Sequence, residues 1–365
     1  MLRLEPPFKA HRQLLIALSP CALVILIRKP VDCPAMPNPS SPSIASKHVP
    51  EPTVKVCAVV VTYNRKVMLE ECLKALLDQS RTVDTILLVD NKSTDDTLEM
   101  VREHFPEVSI LALQTNSGGA GGWHAGLEWA HRNGFDWFWL LDDDTIVHKW
   151  ALESLLNAHQ VYPAERRPML LASRVIWTDH TVHPMNIPIP SYVYLGRMRL
   201  ARHRGMVSIR SASFVSLLIA RDCVTKYGLS LKDYFIWNDD VEFTSRVSRH
   251  ELAVLVPESK AVHKTVNRYM PLTSSGARFY YEVRNKLWMV HYGTGWTLLE
   301  RLCITGILMY VIFMYLLNNR FSQEALETVK RGWQDAWYTR PGEVDFVTPA
   351  ETPAPSSPAE PEPVA

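Results

Sequence analysis

Paired cysteines, basic runs and a strong net charge are all missing from this sequence of 365 residues. Its six cysteines form no Cys-x-x-Cys pair and have no regular spacing. This pattern argues against a zinc site and is typical of reduced thiols in a cytosolic protein. The net charge is +1, and no run of Lys and Arg interleaved with aromatic residues occurs. Nucleic acid is therefore not expected as a partner.

Two familiar phosphate-binding motifs are also missing. The chain has a glycine-rich stretch, Asn116-Ser117-Gly118-Gly119-Ala120-Gly121-Gly122, but the Gly-x-Gly-x-x-Gly pattern fails there, and no Gly-Lys-Ser/Thr P-loop is present. Glycines allow the backbone to approach a ligand closely, and a following helix N-terminus favours phosphate. The stretch therefore predicts either a ligand-binding loop or only a tight turn.

The N-terminal segment, residues 1–53, is predicted to lie outside the globular region. An apolar run from Leu14 to Ile27 follows three basic residues, as in a signal peptide, but Pro20 interrupts it and no cleavage site is evident. An uncleaved anchor and a translation start at Met36 are open alternatives. Residues 30–53 contain seven prolines and are predicted to form a linker.

The C-terminal part is predicted to contain two helices and a disordered tail. Residues 302–317 carry no charge, and residues 320–340 combine Trp333 and Trp337 with Lys330 and Arg331. Basic and aromatic residues beside an apolar helix suit a membrane interface, so residues 296–340 are predicted to associate with a membrane, with a buried C-terminal helix as the alternative. Residues 341–365 are acidic and rich in proline, which indicates disorder.

Residues 54–295 are predicted to form one α/β domain. Apolar strand-like runs at 54–61, 85–89, 108–113 and 137–141 alternate with helical spacing at 67–79, 94–104 and 120–132. This alternation predicts a doubly wound, mostly parallel sheet. Ligands bind beyond the carboxyl ends of the strands in such sheets. Polar residues lie at those ends: Thr62-Tyr63-Asn64, Asp90-Asn91, Asn116 and the three aspartates 142–144.

Asp142-Asp143-Asp144 directly follow the apolar strand 137–141. Adjacent carboxylates repel one another and raise each other's pKa unless a cation neutralises them. Hard divalent cations such as Mg²⁺ or Mn²⁺ prefer oxygen ligands and are often found with phosphates. The three aspartates therefore predict a metal site, with a solvated turn that caps the next helix as the alternative.

A second acidic cluster, Asn238-Asp239-Asp240, follows the aromatic run Tyr234-Phe235-Ile236-Trp237. Its carboxylates are candidates for a general base, with an acid-rich helix N-terminus as the alternative. A short strand is predicted at 252–256, and His263 after it is a candidate for a further metal ligand.

In their order and spacing these motifs resemble family 2 glycosyltransferases of the GT-A fold. The residues that carry the resemblance are Val59-Val60-Val61-Thr62-Tyr63-Asn64, Val89-Asp90-Asn91-Lys92-Ser93-Thr94-Asp95, the triple aspartate and Asn238-Asp239-Asp240. The glycine-rich stretch, Trp-Leu-Leu-Asp-Asp-Asp and Trp-Asn-Asp-Asp-Val-Glu-Phe further resemble bacterial galactofuranosyltransferases and rhamnosyltransferases. Those enzymes build cell-envelope glycans on polyprenyl-diphosphate carriers.

The resemblance implies a role for each matching residue. The nucleotide-sugar donor would contact Thr62, Tyr63, Asn64, Asp90, Asn116, Gly118, Gly119, Asp142 and Asp143. Mn²⁺ or Mg²⁺ would be held by Asp142, Asp144 and His263. Asp240 would be the base, and Asp239 would orient the acceptor. Trp237, Glu242, Arg284 and Asn285 would contact the acceptor, although Arg284 and Asn285 suit packing against the sheet equally well.

The implied function is an inverting, metal-dependent glycosyltransferase at the cytoplasmic face of the cell membrane. Galactofuranose or rhamnose would pass from a UDP- or dTDP-linked donor to a polyprenyl-diphosphate-linked or glycan acceptor. A non-catalytic scaffold with this fold and a nucleotidyltransferase are the alternatives. A nucleotidyltransferase would need a basic, glycine-rich loop after the first strand, whereas residues 62–66 contain no glycine.

Overall fold

The computed structural model describes residues 54–266 and 275–347. The predictions for residues 1–53 and for the tail from residue 348 onward lie outside the described residues. The strands are β1 (Val56–Thr62), β2 (Thr85–Asp90), β3 (Ser109–Ala112), β4 (Trp137–Asp142), β5 (Thr145–Val147), β6 (Leu170–Ile176), β7 (Ile189–Pro190), β8 (Val207–Ser211), β9 (Leu217–Ala220) and β10 (Ala253–His263). The helices are α1 (Lys66–Leu77), α2 (Thr97–His104), α3 (Gly118–Arg132), α4 (Ala151–Gln160), α5 (Leu195–Arg202), α6 (Arg221–Tyr227), α7 (Asp239–Ser248), α8 (Phe279–His291), α9 (Leu298–Asn318) and α10 (Gln323–Tyr338).

The first half is the doubly wound parallel unit that the periodicity predicts. β1 lies between β2 and β4, β3 lies outside β2, and all four strands are parallel. Every residue of β1 is buried because helices cover both faces of the sheet. Val56, Ala58 and Val60 belong to one core cluster, and the alternate residues of the strand belong to the other.

The second half is a mixed extension of the same sheet, whose order is β3-β2-β1-β4-β9-β6-β10-β8-β7. β9 lies antiparallel between β4 and β6, and β6 pairs in parallel with β10. β10 is longer than the predicted strand at 252–256, because a bulge between Val256 and Lys260 lets the strand continue to His263. His263 is therefore the last residue of a strand and does not follow one.

The last three helices pack on one another beside the sheet. α8 contacts both α9 and α10, and the Phe279 and Tyr315 rings stack with centroids 3.9 Å apart. Among the described residues, α9 is the one helix long and apolar enough to cross a membrane, and only 17% of its most apolar 18-residue window is buried. The alternative of a fully buried C-terminal helix does not fit this exposure.

The glycine-rich stretch is mainly helix, not loop. α3 begins at Gly118, two residues before the predicted start at Ala120. Gly122 and Gly126 are one turn apart and face β1. A Cβ on Gly122 would lie 2.5 Å from the Val61 Cγ1 methyl. A Cβ on Gly126 would overlap the Val59 Cγ1 methyl. These glycines let the helix approach the sheet closely.

We expect Gly126→Ala to destabilise the protein even though alanine favours helix. The gain in helix propensity is about 1 kcal/mol, whereas forcing a methyl into a packed core costs about 1–3 kcal/mol. Val59 cannot move aside because it is fully buried. Gly196→Ala is the matched control, since nothing lies within 4 Å of a Cβ there in α5. Thermal unfolding should show a lower midpoint for the first variant and an equal or higher one for the second; equal midpoints for both would contradict the packing.

Candidate active site

The carboxyl ends of β1, β2 and β4 lie side by side at one edge of the sheet. Thr62 is in register with Asp90, and Val61 is in register with Asp142. Open parallel sheets bind their ligands at this edge. The structure thus brings together the strand-end residues that the sequence singled out, while their contacts with a donor stay a prediction.

The three aspartates at the end of β4 have three different surroundings. Asp143 accepts a hydrogen bond of 2.8 Å from the Thr62 hydroxyl on β1. Asp144 is buried and accepts hydrogen bonds on both oxygens, from His263 Nε2 at 2.9 Å and Arg65 Nη1 at 2.6 Å. Asp142 has a side chain that is 41% exposed, with Oδ2 3.8 Å from His263 Nε2. Asp143 therefore ties two strands together, and Asp142 and Asp144 face the same histidine.

Strand pairing explains how His263 reaches residues so distant in sequence. The end of β10 pairs antiparallel with β5, with His263 in register with Thr145. Lys264 N also donates to the Asp144 carbonyl at 2.9 Å. The bulge in β10 and the short strand β5 that follows the aspartates are thus what place the imidazole beside them.

Asp142, Asp144 and His263 fit a divalent cation. One ligand atom from each lies within 4.8 Å of the others. Two carboxylates and an imidazole suit Mn²⁺, and the oxygens also suit Mg²⁺. Burial raises the pKa of Asp142 to about 6 and that of Asp143 to about 7. These raised pKa values show that the cleft penalises negative charge, which a bound cation would offset.

Asp144 and His263 form an ion pair within this cluster. Burial opposes their ionisation, but the hydrogen bond between them and the charge of the partner hold the pKa of Asp144 below its ordinary value and that of His263 above it. Asp144 is thus the most acidic carboxylate of the three, as a direct metal ligand should be.

Arg65 is a charged group at this site that the sequence analysis did not assign. Its guanidinium lies 2.6 Å from Asp144 and 3.6 Å from Asp143. The side chain is half exposed, whereas Asp144 is buried, so Arg65 neutralises this carboxylate from the solvent side of the site. Its position directly after the motif residue Asn64 is the only sequence signal for this contact.

Behind His263 lies a second residue that the sequence analysis missed, Asn186. Asn186 Nδ2 donates to the Ser213 hydroxyl at 3.0 Å, so its Oδ1 faces His263 Nδ1 at 2.8 Å. An amide oxygen only accepts hydrogen bonds, so Nδ1 must carry a proton, and Nε2 is the nitrogen that faces the aspartates. Asn186 ends a 3-10 helix of three residues, Pro184–Asn186, which is too short for sequence periodicity to indicate.

The predicted donor residues after β1 and β2 hold each other in place. Asp90 is buried and accepts from Ser93 N at 3.1 Å, and Asn64 Oδ1 accepts from Thr94 N at 2.7 Å. Asn64 has a positive φ of 54°. Tyr63, which precedes Asn64 in the chain, is 44% exposed. The backbone turn thus leaves the Tyr63 ring available to a ligand.

The first turn of α3 connects these loops to the second acidic cluster. Asn91 Nδ2 donates to the Gly118 carbonyl at 2.7 Å, and Asn116 Oδ1 accepts from Gly118 N at 2.9 Å. Gly118 has φ +70°, and a Cβ there would overlap the Phe235 carbonyl. At Gly119, by contrast, a Cβ would have its nearest neighbour, Trp123 Nε1, at 3.9 Å. Gly118 is therefore needed for close packing between the two halves of the site.

The loop before α7 is held in an unusual conformation. Phe235, Trp237 and Asn238 all have positive φ, between 62° and 67°. Such residues cost about 1–3 kcal/mol each unless their surroundings stabilise them. Asn285 supplies that support, because its Nδ2 donates to the carbonyls of Tyr234, Ile236 and Trp237 at 2.8–3.0 Å.

Arg284 and Asn285, two of the predicted acceptor residues, hold this loop. Arg284 donates to the carbonyls of Asp233 and Tyr234 and lies over the Trp288 ring at 4.1 Å. Both residues thus have a structural contact with this loop and not with the sheet, and their contact with an acceptor stays a prediction.

Glu242, a third predicted acceptor residue, also has a structural contact. It is buried on α7 and pairs with Arg246 through two hydrogen bonds of 2.9 Å. Glu282 on α8 pairs with Lys286 and accepts from Asn238 Nδ2 at 3.0 Å. Both glutamates are thus neutralised by a cation one turn along their own helix, and their contacts hold α7 and its preceding loop in place.

Asp239 and Asp240, by contrast, have no such cation. Burial raises the pKa of Asp239 well above its ordinary value and that of Asp240 to about 7. The charge of Asp142 contributes to both increases, which places the two acidic clusters within electrostatic reach of each other. Asp240 lines a cavity beside the cleft, and Trp237 lines the same cavity.

A family model of glycosyl transferase family 2 matches residues 57–165, which hold the first acidic cluster and the loops around it. Galactofuranosyltransferase GlfT1 of Mycolicibacterium smegmatis is 31% identical over 211 residues, which span 55% of this chain and 67% of that protein. The chain belongs to glycosyltransferase family 2. This assignment confirms the predicted enzyme class and does not support the scaffold and nucleotidyltransferase alternatives.

Two further relatives agree with this assignment. The N-acetylglucosaminyl-diphospho-decaprenol L-rhamnosyltransferase of Mycobacterium tuberculosis is 25% identical over 235 residues, 56% of this chain and 74% of that protein. The crystal structure of residues 1–349 of TarS from S. aureus superimposes with a TM-score of 0.53 at 16% identity, covering 78% of this chain and 81% of that one. This likeness supports the GT-A fold.

We expect Asn186→Ala to weaken Mn²⁺ binding to this glycosyltransferase by about 10–100-fold, because the imidazole of His263 loses the partner that orients it. Asn186→Asp keeps an acceptor oxygen and should bind Mn²⁺ nearly as well as the unmodified protein. Titration calorimetry with Mn²⁺ in the presence of UDP measures this directly. An Asn186→Ala variant with unchanged unfolding midpoint and unchanged Mn²⁺ affinity would contradict the role of Asn186.

Proposed function

We propose that this glycosyltransferase is an inverting, cation-dependent enzyme that transfers galactofuranose or rhamnose to a lipid-linked or glycan acceptor in cell-envelope synthesis. One observation carries the proposal: Asp142, in the cluster that could hold a cation, raises the pKa of Asp240, so the candidate base lies within electrostatic reach of that cluster. The similarity to a galactofuranosyltransferase and to a rhamnosyltransferase supports the choice of sugar. UDP- and dTDP-linked sugars are accordingly the donors to test.

The cation would be held by Asp142, Asp144 and His263, and when bound it stabilises the charge on the departing diphosphate. Tyr63, Asn64 and Asp90 surround the strand ends where the nucleotide would lie. Arg65 adds a positive charge beside the same position. These residues bind and orient the donor, and Asn91 and Asn116 keep the first turn of α3 against it.

Asp240 is the proposed base. Its carboxylate takes the proton from the acceptor hydroxyl as the hydroxyl oxygen bonds to the anomeric carbon and the bond to the donor diphosphate breaks. A base with a pKa of about 7 is half ionised at neutral pH, which is close to the optimum for proton transfer. Asp239 has a pKa well above its ordinary value, so in its neutral form it can donate a hydrogen bond that orients the acceptor.

A panel of nucleotide sugars assayed with Mn²⁺ and an acceptor lipid tests this function. UDP-galactofuranose or dTDP-rhamnose should release nucleoside diphosphate, chelation of the cation should stop the release, and Asp240→Asn should slow transfer by about 10²–10⁴-fold. The substitution is isosteric and removes only the ability to accept the proton.

Glu258→Gln serves as a matched control for that variant, because Glu258 is an exposed acid of β10 away from the cleft. Near-normal transfer by Asp240→Asn would eliminate Asp240 as the base. Failure of both donors with the unmodified enzyme would eliminate the proposed sugars.

We also propose that the enzyme acts at the cytoplasmic face of the cell membrane. Leu298, Leu299 and Leu302 on α9 are 63–75% exposed, and Phe313 is 53% exposed. Trp333, Trp337, Lys330 and Arg331 on α10 are exposed nearby, as at a lipid–water interface. Exposed apolar side chains grouped in this way mark an interaction site, and the hydrocarbon of a membrane can cover them.

Replacing Leu302 and Phe313 together by Glu should release the protein from phospholipid vesicles. Each side chain loses about 1.5–3 kcal/mol of transfer free energy, so the bound fraction in co-sedimentation should fall by at least about tenfold. Val161→Glu, at an exposed apolar position after α4, is the control and should leave binding unchanged. Equal binding by all three proteins would contradict membrane attachment through α9.

A further inference from the structure

A cavity of about 440 Å³ lies between α9 and the segment 185–193, and it is far more apolar than a sugar site requires. Asp240 and Trp237 line it at α7, and apolar residues of the two walls form most of the rest. Its volume is in the range of sites that bury a drug-sized ligand. We call this cavity the apolar groove.

The two walls of the groove come from elements outside the catalytic motifs. Ile187, Ile189 and Val193 form part of one wall. Leu299, Cys303 and Ile304 on α9 form part of the other. Ile187, Val193 and Leu299 are 37–71% exposed, so the groove is open and not a sealed core void.

Most of the charged side chains in the lining are already paired within the protein. Arg210 donates to Glu300 at 2.9 Å and to the carbonyls of Ser245 and Gly295. Lys286 pairs with Glu282. A polar ligand would lose its hydrogen bonds to water on entering the groove and would find few unpaired charges there to replace them. An apolar ligand has no such hydrogen bonds to lose. Asp240 is the exception, and it is the residue at which the acceptor reacts.

The groove also connects the reaction site to the membrane-facing helix. Residues of α9 that line it are neighbours of Leu298 and Leu302, which are exposed apolar residues of the same helix. A molecule that reaches Asp240 through the groove can therefore keep one end on the apolar surface of α9. A wholly water-soluble acceptor would leave this apolar surface unfilled.

We propose that the apolar groove binds the apolar chain of a lipid-linked acceptor, with the sugar hydroxyl at Asp240 and the chain running towards α9. The proposal rests on the proposed function and adds where the acceptor lipid lies. Because each methylene group that leaves water adds about fourfold in affinity, binding should strengthen with chain length until the groove is filled.

Cys303 allows this to be tested without catalysis. It is exposed in the groove, whereas Cys57, Cys72 and Cys223 are buried, and burial raises the pKa of each of those thiols, that of Cys57 to about 12. Cys21 and Cys33, outside the described residues, are replaced by Ser. The alkylation rate of Cys303 by N-ethylmaleimide is then measured with isopentenyl, geranyl or farnesyl diphosphate, and with inorganic diphosphate as the control.

Protection of Cys303 should increase from isopentenyl to geranyl to farnesyl diphosphate and be absent with inorganic diphosphate. An unchanged alkylation rate with farnesyl diphosphate would overturn the proposal. Equal protection by dodecylphosphocholine would also overturn it, since the groove would then bind any lipid chain.

A groove-filling variant provides the catalytic test. Cys303→Trp should raise the KM for a prenyl-linked acceptor at least about tenfold, and should leave transfer to the same glycan without a chain unchanged. Cys303→Ser controls for loss of the thiol, and Met309→Trp places the same side chain at an exposed position of α9 outside the groove. An unchanged KM with Cys303→Trp would contradict the proposal. Transfer by the unmodified enzyme to the glycan without a chain reports the proposed function separately, so its absence would count against the proposed donor and acceptor and not against the groove.

Discussion

The crowding of carboxylates in one cleft is the constraint on which the rest of this structure depends. Asp142 ends β4 and is followed by Asp143 and Asp144, and Asp239 and Asp240 begin α7 within electrostatic reach of Asp142. The fold treats these acids in two ways. Glu242 and Glu282, which hold the fold, each pair with a cation on the same helix. Asp142 and Asp240 have raised pKa values, and in the described part of the chain neither has a lysine or arginine at hydrogen-bond distance. The proposed base thus differs from the two glutamates, which are each neutralised by a neighbouring cation.

Side-chain amides hold in place the loops and the histidine that surround the two acidic clusters. Asn285 supports the left-handed loop before α7, Asn91 fixes the first turn of α3, and Asn186 orients His263. An amide can satisfy buried backbone groups without adding charge. Asn91 and Asn285 donate to backbone carbonyls in this way without adding a charge to the site. The cost of the positive φ angles at Phe235, Trp237 and Asn238 is offset by these same contacts.

The sequence predicts the first half of the fold and the site better than the second, for a physical reason. In the parallel half β1, β2 and β4 are largely buried and each helix is amphipathic, so periodicity locates β1 to β4 and α1 to α3. In the second half β5, β7 and β9 have two to four residues each, and β9 lies between two strands that are distant from it in sequence. No local pattern encodes that pairing. Arg65 and Asn186 were missed because their contacts depend on the tertiary fold. Glu242 was assigned to the acceptor because an acid beside a motif looks the same in sequence whether it faces the cleft or a buried arginine.

The two proposed substrates also match surfaces of different polarity. The loops after β1 and β2, with Tyr63, Asn64 and Arg65, are polar and exposed on one side of the acidic clusters. The apolar groove and α9 lie on the other side, beside Asp240. A charged nucleotide sugar suits only the first environment, and a hydrocarbon chain suits only the second. Asp240 lines the apolar groove and lies within electrostatic reach of Asp142, so a hydroxyl delivered from the membrane and an anomeric carbon delivered from water would meet at this carboxylate.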